Sequence, residues 1–450
     1  MLITELEAYG NIEYSYEGRG HFDGDSEFYD FAVVQQSNGS IYLACDFPSY
    51  TSLSQVGDNV EKDFLGTTID DKPLVIKGHK LQINAKNQCV IFVTNGECRL
   101  QIGNIPDNQP LEFRFLLTNF IFHGTQVEQL IDGSKRLNAL VLQLGNISAV
   151  IRKVIDYPEL EDQLRKQRGV RVTSNVVIKD REFSELDSIL EKLTNLCGLL
   201  TIANGTLISW IRMEIYSKSG EQLFIEHQPR ITGNYSSFKL IDSMPPEAVE
   251  LFVNHVFERY EELNAIYDLN SVARIYASIK SSGFIEIRSL GIGALVELLL
   301  DKFDQEHGNS RFLVPRKKFE RKKESLQNSI LDVYRSEFKE LNLSESIFNE
   351  VREKILELNR PSFQDRLKKF MNSFGIPIND NEIRSFIKSR NKLVHGLAFV
   401  SDSPADEYFT TRHFLDRILL GMLRYRGYYM DATQKNLCSG EQRDYFEPKE

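Results

Sequence analysis

The sequence predicts an α+β multidomain protein: a β-rich N-terminal domain, sandwich- or barrel-like, followed by an all-α helical bundle. Three observations predict it. Short apolar runs broken by turn residues recur through roughly the first half of the chain, at the even spacing of a sandwich or barrel rather than of βα units. At Met244-Pro245-Pro246-Glu247 the residue types change from β-formers to helix-formers, with prolines where a first helical turn tolerates them. The chain has 450 residues, more than the roughly 250–300 that one hydrophobic core encloses.

Residues 29–48 hold two apolar runs joined by Ser37-Asn38-Gly39-Ser40, and Asn-Gly is the strongest short hairpin signal. Runs over 72–83, 89–94 and 98–105 repeat the theme, with Asn95-Gly96 between the last two, and 111–122, 137–144 and 170–179 continue it. Leu186, Ile189, Leu190, Leu193 and Leu196 recur at helical spacing and predict a helix over 183–196. Strand pattern resumes over 198–216 and 223–227, past the turn Ser217-Lys218-Ser219-Gly220. The boundary falls near residue 240, dividing the chain into a β-rich N-terminal domain (1–240), a helical domain (241–432) and a polar, frayed tail (433–450). Helices are predicted over 246–263, 269–281, 285–303, 326–341, 345–358, 363–374, 381–395 and 407–426. There is no repeat of fixed period, which disfavours a solenoid.

Composition narrows the function. At 41% hydrophobic and 26% charged residues the chain reads as an ordinary globular protein. No apolar run reaches the roughly 18–20 residues of a membrane span, and Glu5 and Glu7 stand where a secretory leader carries basic residues. Cys45, Cys89, Cys98, Cys197 and Cys438 are scattered without a C-x-x-C pair, so neither a zinc site of the usual spacing nor a disulfide framework is expected. The expectation is a cytoplasmic protein with reduced thiols, no metal and no cofactor. The net charge is −10, yet residues 241–310 sum to −7 and residues 311–430 to +7, so the second half carries a basic field of its own.

The most informative stretch is 382–396, EIRSFIKSRNKLVHG. Ile383, Phe386, Ile387, Leu393 and Val394 mark one helix face that Gly396 can terminate. Arg390 falls on that apolar stripe, where its charge requires an acid, a partner surface or a phosphate. Asn391 and His395 are four apart, one above the other on the adjoining face. Histidine titrates near neutral pH and can exchange protons with a ribose 2′-hydroxyl or a leaving 5′-oxygen, and a guanidinium can hold the scissile phosphate by two parallel hydrogen bonds. One helix supplies one histidine, whereas the reaction uses a base and an acid. Two copies across a twofold axis would supply both.

At these residues the sequence resembles the HEPN ribonucleases, whose motif is Arg, four to six residues, then His, with Asn often following the Arg; Arg390-Asn391-Lys392-Leu393-Val394-His395 matches the four-residue form. The domain order is similar to that of the ApeA-like HEPN proteins of bacterial antiphage defence. Their Ala-Leu-Glu-Leu-Leu run corresponds here to Ala294-Leu295-Val296-Glu297-Leu298-Leu299, with a Val inserted before the Glu. The resemblance covers residues 245–430; over 1–240 it rests on β-rich character and domain order. It implies a HEPN-like bundle acting as a metal-independent endoribonuclease, with Arg390 and His395 catalytic at a homodimer or higher-oligomer interface and Asn391 as a polar helper. It implies RNA as substrate, tRNA among the candidates, in abortive infection, with a phage-derived trigger sensed by the N-terminal domain.

Further residues join the reading. Glu297, within an apolar run, either faces solvent or turns inward to pair with Arg390. Arg316, Lys317, Lys318, Arg321, Lys322 and Lys323 form a basic run that could track phosphates, and Lys388 and Lys392 could add to the same field. Arg424, Tyr425, Arg426, Tyr428 and Tyr429 interleave cations with stacking rings, as single-stranded RNA binding would want; a helix end with its tyrosines in the core is the plainer explanation. Gly291-x-Gly293 lacks the third glycine of a nucleotide fingerprint. The competing functional reading is a non-catalytic dimeric module that binds RNA or protein, its β domain recognising a phage or cellular ligand.

Overall fold

In a computed structural model of the chain, the described residues are 2–7, 12–46, 63–77, 79–86, 89–94, 97–129, 135–229, 233–236, 239–242, 245–307, 314, 316–341, 344–357, 359, 361–377, 379–396, 403–436 and 440–447. The Asn38-Gly39 signal folds as the sequence predicts. Strands Tyr29–Gln36 and Ile41–Asp46 pair antiparallel, Asn38 Oδ1 accepts from Ser40 N at 2.9 Å, and Gly39 takes the left-handed φ of +84° that favours glycine.

The strands of the first half pair antiparallel throughout. Among the described residues they form one 15-stranded antiparallel sheet with two edges, Gln126–Gln129 and His79–Lys86. Two strand groups are joined in a single ladder where Gln222–His227 pairs with Cys98–Gln101. Cys89–Thr94 and Cys98–Gln101 are therefore not hairpin partners. The first lies between Ile41–Asp46 and His79–Lys86, the second between Pro73–Ile76 and Gln222–His227; Asn95-Gly96 lies outside the described residues. Phe22, Phe31, Leu43, Phe64, Ile76 and Leu100 give one strand group its own core. The other group packs against helices.

The first helices of the chain are α1 (Leu2–Glu7), whose Leu6 packs with Ala32, Val34 and Ala44 of the first strand group, α2 (Tyr157–Gln167) and α3 (Leu186–Asn204). The sequence pattern missed α2 and ended α3 too early. Residues 198–204, read as strand, continue α3, because Leu199, Leu200, Ile202 and Ala203 are all buried and a helix turn covered on every side has no amphipathic period to detect.

The second half is α4 (Ala248–Tyr267), α5 (Leu269–Ser281), α6 (Ile285–Glu306), α7 (Arg316–Glu320), α8 (Lys323–Glu337), α9 (Glu345–Glu357), α10 (Phe363–Ser373), α11 (Asp380–Gly396) and α12 (Pro404–Met422). One hydrophobic core runs unbroken from strands Leu111–Thr118 and Trp210–Ser217, through α3, into α4, α5, α6 and α12. Helices α7, α8 and α9 contribute nothing to that core. They form an arm closed at its base by Asn359, which gives one hydrogen bond to Val314 O (2.9 Å) and takes one from Val314 N (2.7 Å).

The tail expected to fray is a hairpin, Gly427–Asn436 with Gly440–Phe446. Tyr429 and Phe446 are buried with their rings edge to face at 6.2 Å, and Met430 N donates to Leu240 O at 2.8 Å. The anchoring residues are few and set among polar ones, so no strand alternation stands out in the sequence.

Candidate functional site

Helix α11 is fixed at its start and carries the candidate residues near its end. Asn379 Oδ1 accepts from Asn381 N (3.0 Å) and Glu382 N (3.4 Å), capping the first turn. Arg417 on α12 reaches Glu382 (2.7 Å) and Pro377 O (2.9 Å), and Lys368 on α10 pairs with Asp380 at 2.7 Å. Ile383, Phe386 and Leu393 are buried as the stripe predicts and Ile387 is partly so. Val394, assigned to the same stripe, is 46% exposed. Gly396 is the last helical residue.

Arg390 sits where α11 crosses α6. Its aliphatic stem lies on Gly293, where an added Cβ would come within 3.0 Å of Arg390 Cγ. That close approach is the role of Gly293; Gly291, one turn-face away, admits Ile279 of α5 in the same manner. The guanidinium emerges past the glycine to meet Glu297, the inward alternative of the sequence reading: Nη2 donates to Oε1 at 2.5 Å. Nη1 donates to Asn391 Oδ1 at 2.9 Å, and the guanidinium carbon is 5.3 Å from the centroid of the Phe363 ring on α10. Nε is buried without a hydrogen-bond partner. The Arg390 side chain is 21% exposed, so the cation is oriented by three neighbours and still reachable from solvent.

Asn391, Val394 and His395 form the exposed face beside it. His395 stands one turn beyond Asn391 and makes no hydrogen bond or ion pair among the described residues, so a single copy groups Arg390, Asn391 and Glu297 and leaves His395 facing outward. Lys388 and Lys392 are exposed on the same helix. Phe363 was not singled out by the sequence reading, and Gly293 was weighed only as part of a nucleotide fingerprint; the signal available was Gly293 one turn before Glu297 on the face that meets α11.

The basic run lies on the arm. Lys317, Lys318, Arg321 and Lys322 are exposed, while Lys323 pairs with Glu320 at 2.6 Å; the Arg316 side chain lies outside the described ones. Of the later cluster, Tyr425 and Tyr429 are buried and Arg424, Arg426 and Tyr428 exposed, so two of the three rings that could stack on bases belong to the core. A cavity of about 290 Å³ between α11 and α12 has three carboxylates, Glu382, Asp406 and Glu407, and one cation, Lys388, in its lining. It lies on another face of α11 from Arg390, and carboxylates there would repel a phosphate.

Among the described residues no group of three or more His, Cys, Asp or Glu could hold a metal ion, and no helix is long and apolar enough to cross a membrane. No family model, curated protein or solved structure matches the chain.

Proposed function

We propose that the protein is a metal-independent endoribonuclease of the HEPN type, acting in the cytoplasm as a homodimer or a larger assembly of such pairs. The observation that carries this reading is Arg390: a guanidinium held by Glu297, Asn391 and Phe363, one-fifth exposed, on the same helix end as an outward-facing His395. A phosphate can compete with Glu297 for Nη2, which offsets charge developing at phosphorus. A pair of His395 side chains, one from each copy, divides the proton transfers. One accepts the 2′-hydroxyl proton as that oxygen bonds to phosphorus, and the other donates a proton to the departing 5′-oxygen. The products are a 2′,3′-cyclic phosphate and a 5′-hydroxyl. Exposed Val394, between Asn391 and His395, gives the twofold contact an apolar centre, and Lys317, Lys318, Arg321 and Lys322 supply backbone attraction for RNA, a tRNA loop among the candidates.

In this reading the β-rich half restrains the bundle until a trigger, phage-derived in a defence setting, binds it. The test is sequencing of RNA ends after induction of the parent and of His395→Ala. The parent should yield cyclic-phosphate and 5′-hydroxyl ends that the variant does not, and cleavage should persist in EDTA; identical end profiles would end the proposal. The second reading, a non-catalytic dimeric binding module, draws on the Glu297–Arg390 pair itself, since an arginine already met by a carboxylate can be a purely structural residue.

A further inference from the structure

A different part of the molecule has the form of a ligand site. A cavity of about 340 Å³ lies at the seam of the two halves, between α3 on one side and α5 on the other. That volume falls in the range of small-molecule sites, which concentrate where domains meet. Leu207, Ile208 and Trp210 line it, all buried or nearly so, and Thr201, Ala273 and Arg274 complete the part relevant to binding.

The walls are fixed rather than loosely packed. Beside the cavity α3 presses so closely on α4 and α5 that a Cβ at Gly198 would lie 2.1 Å from Tyr260 Oη and 2.4 Å from Asn270 Oδ1. An amide network ties the three helices: Asn195 Oδ1 accepts from Asn264 (3.1 Å) and Asn270 (3.0 Å), and Tyr260 donates to Asn270 at 2.9 Å. Thr201 is spent on its own helix and on Ile208 N.

The charge of the lining is one-sided. Arg274 is its one ionised residue, and no carboxylate belongs to it. Arg274 is exposed and bonds within its own helix, at 3.4 Å to Asn270 O and 3.3 Å to Ser271 Oγ. Among the described residues it forms no ion pair. Carboxylates on the neighbouring turns are engaged elsewhere, Glu261 with Lys192 at 3.2 Å and Asp268 with Lys302 at 3.7 Å. A mixed wall, apolar at Leu207, Ile208 and Trp210 and polar at Thr194, Ser209 and Asn270, with a single guanidinium that has no ion pair among the described residues, selects an amphipathic anion.

We propose that the seam cavity binds a small molecule with a compact apolar ring body, seated against Trp210, Leu207 and Ile208, and one carboxylate held by Arg274. The proposal is independent of the ribonuclease reading. Trp210 is the only tryptophan in the chain, so tryptophan emission reports from this cavity alone. The full-length protein is titrated with 4-tert-butylbenzoate and with the neutral 4-tert-butylbenzamide, following emission and, in parallel, heat by calorimetry. The carboxylate should bind saturably with a change in Trp210 emission, and the amide about tenfold more weakly or worse. Arg274→Ala, at an exposed position, should melt with the parent and bind the carboxylate no better than the amide. Calorimetric binding that leaves Trp210 emission unchanged, an Arg274→Ala variant that binds as tightly as the parent, or no binding of either compound would overturn the proposal.

Discussion

Two arginine–carboxylate pairs in the same helical half make opposite use of the same chemistry. Arg412 and Asp416 on α12 are 1% and 0% exposed, with Nε and Oδ2 3.4 Å apart. Tyr276 on α5 donates to Asp416 at 2.5 Å, and Arg412 Nη2 to Lys239 O at 3.2 Å. Arg390 and Glu297, by contrast, span α11 and α6 with side chains 21% and 42% exposed. A fully buried pair is closed to an incoming ligand, and losing one member leaves the other's charge uncompensated in a low-dielectric interior. A pair at the bundle surface can exchange one partner for an incoming phosphate at little cost to folding. Burial, not residue type, separates the structural pair from the candidate functional one.

The sharpest way to break that comparison is at the exposed site. Arg390→Ala and His395→Ala should each lower single-turnover cleavage of labelled RNA by about 10²–10⁴-fold, while thermal melts stay close to the parent. A variant that cleaves like the parent would return Arg390 to a structural role. At the buried pair, Asp416→Ala should cost about 3–5 kcal/mol in urea unfolding, well beyond the loss from Glu297→Ala; equal losses would erase the distinction.

Glu297→Gln sharpens it further. Removing a negative charge beside the phosphate should lower KM, and loosening the hold on Arg390 should lower kcat, each by about tenfold or less; steady-state kinetics separates the two. A smaller effect is expected at Asp431. Burial would raise its pKa, but the contact with His413 (3.0 Å) and hydrogen bonds from the Thr433 hydroxyl and amide outweigh it and hold the carboxyl well below the usual range. A depressed folded pKa means stability present above the unfolded value of about 4 and lost as pH falls below it. Asp431→Asn should therefore cost about 1–3 kcal/mol at neutral pH, with the gap from the parent closing in acid. Smallest is Lys317→Gln, which should reduce the slope of log affinity against log salt by about 0.7 for single-stranded RNA.

Local pattern carried a good deal of this. Helix α5 was legible to its ends, since Leu269 follows Asp268, whose side chain caps Ser271 N at 3.3 Å. The α11 stripe and the oddity of an arginine on it were equally plain. What local pattern left open was whether Glu297 turned inward, and it was silent on Phe363, the Arg412–Asp416–Tyr276 network and the C-terminal hairpin. In each case the partners lie on separate elements, as Arg390 and Glu297 do across 93 residues of chain.

By itself the amino-acid order determined the change from strands to helices, the amphipathic faces, and which polar residues share the end of α11, because these follow from periods of two and 3.6 residues along a single segment. Tertiary structure alone decided that the strands join as one sheet, that α3 binds the two halves into one core, and that Arg390 meets Glu297 over a glycine. Those outcomes depend on which surfaces bury one another, a property of pairs of segments that no single segment encodes.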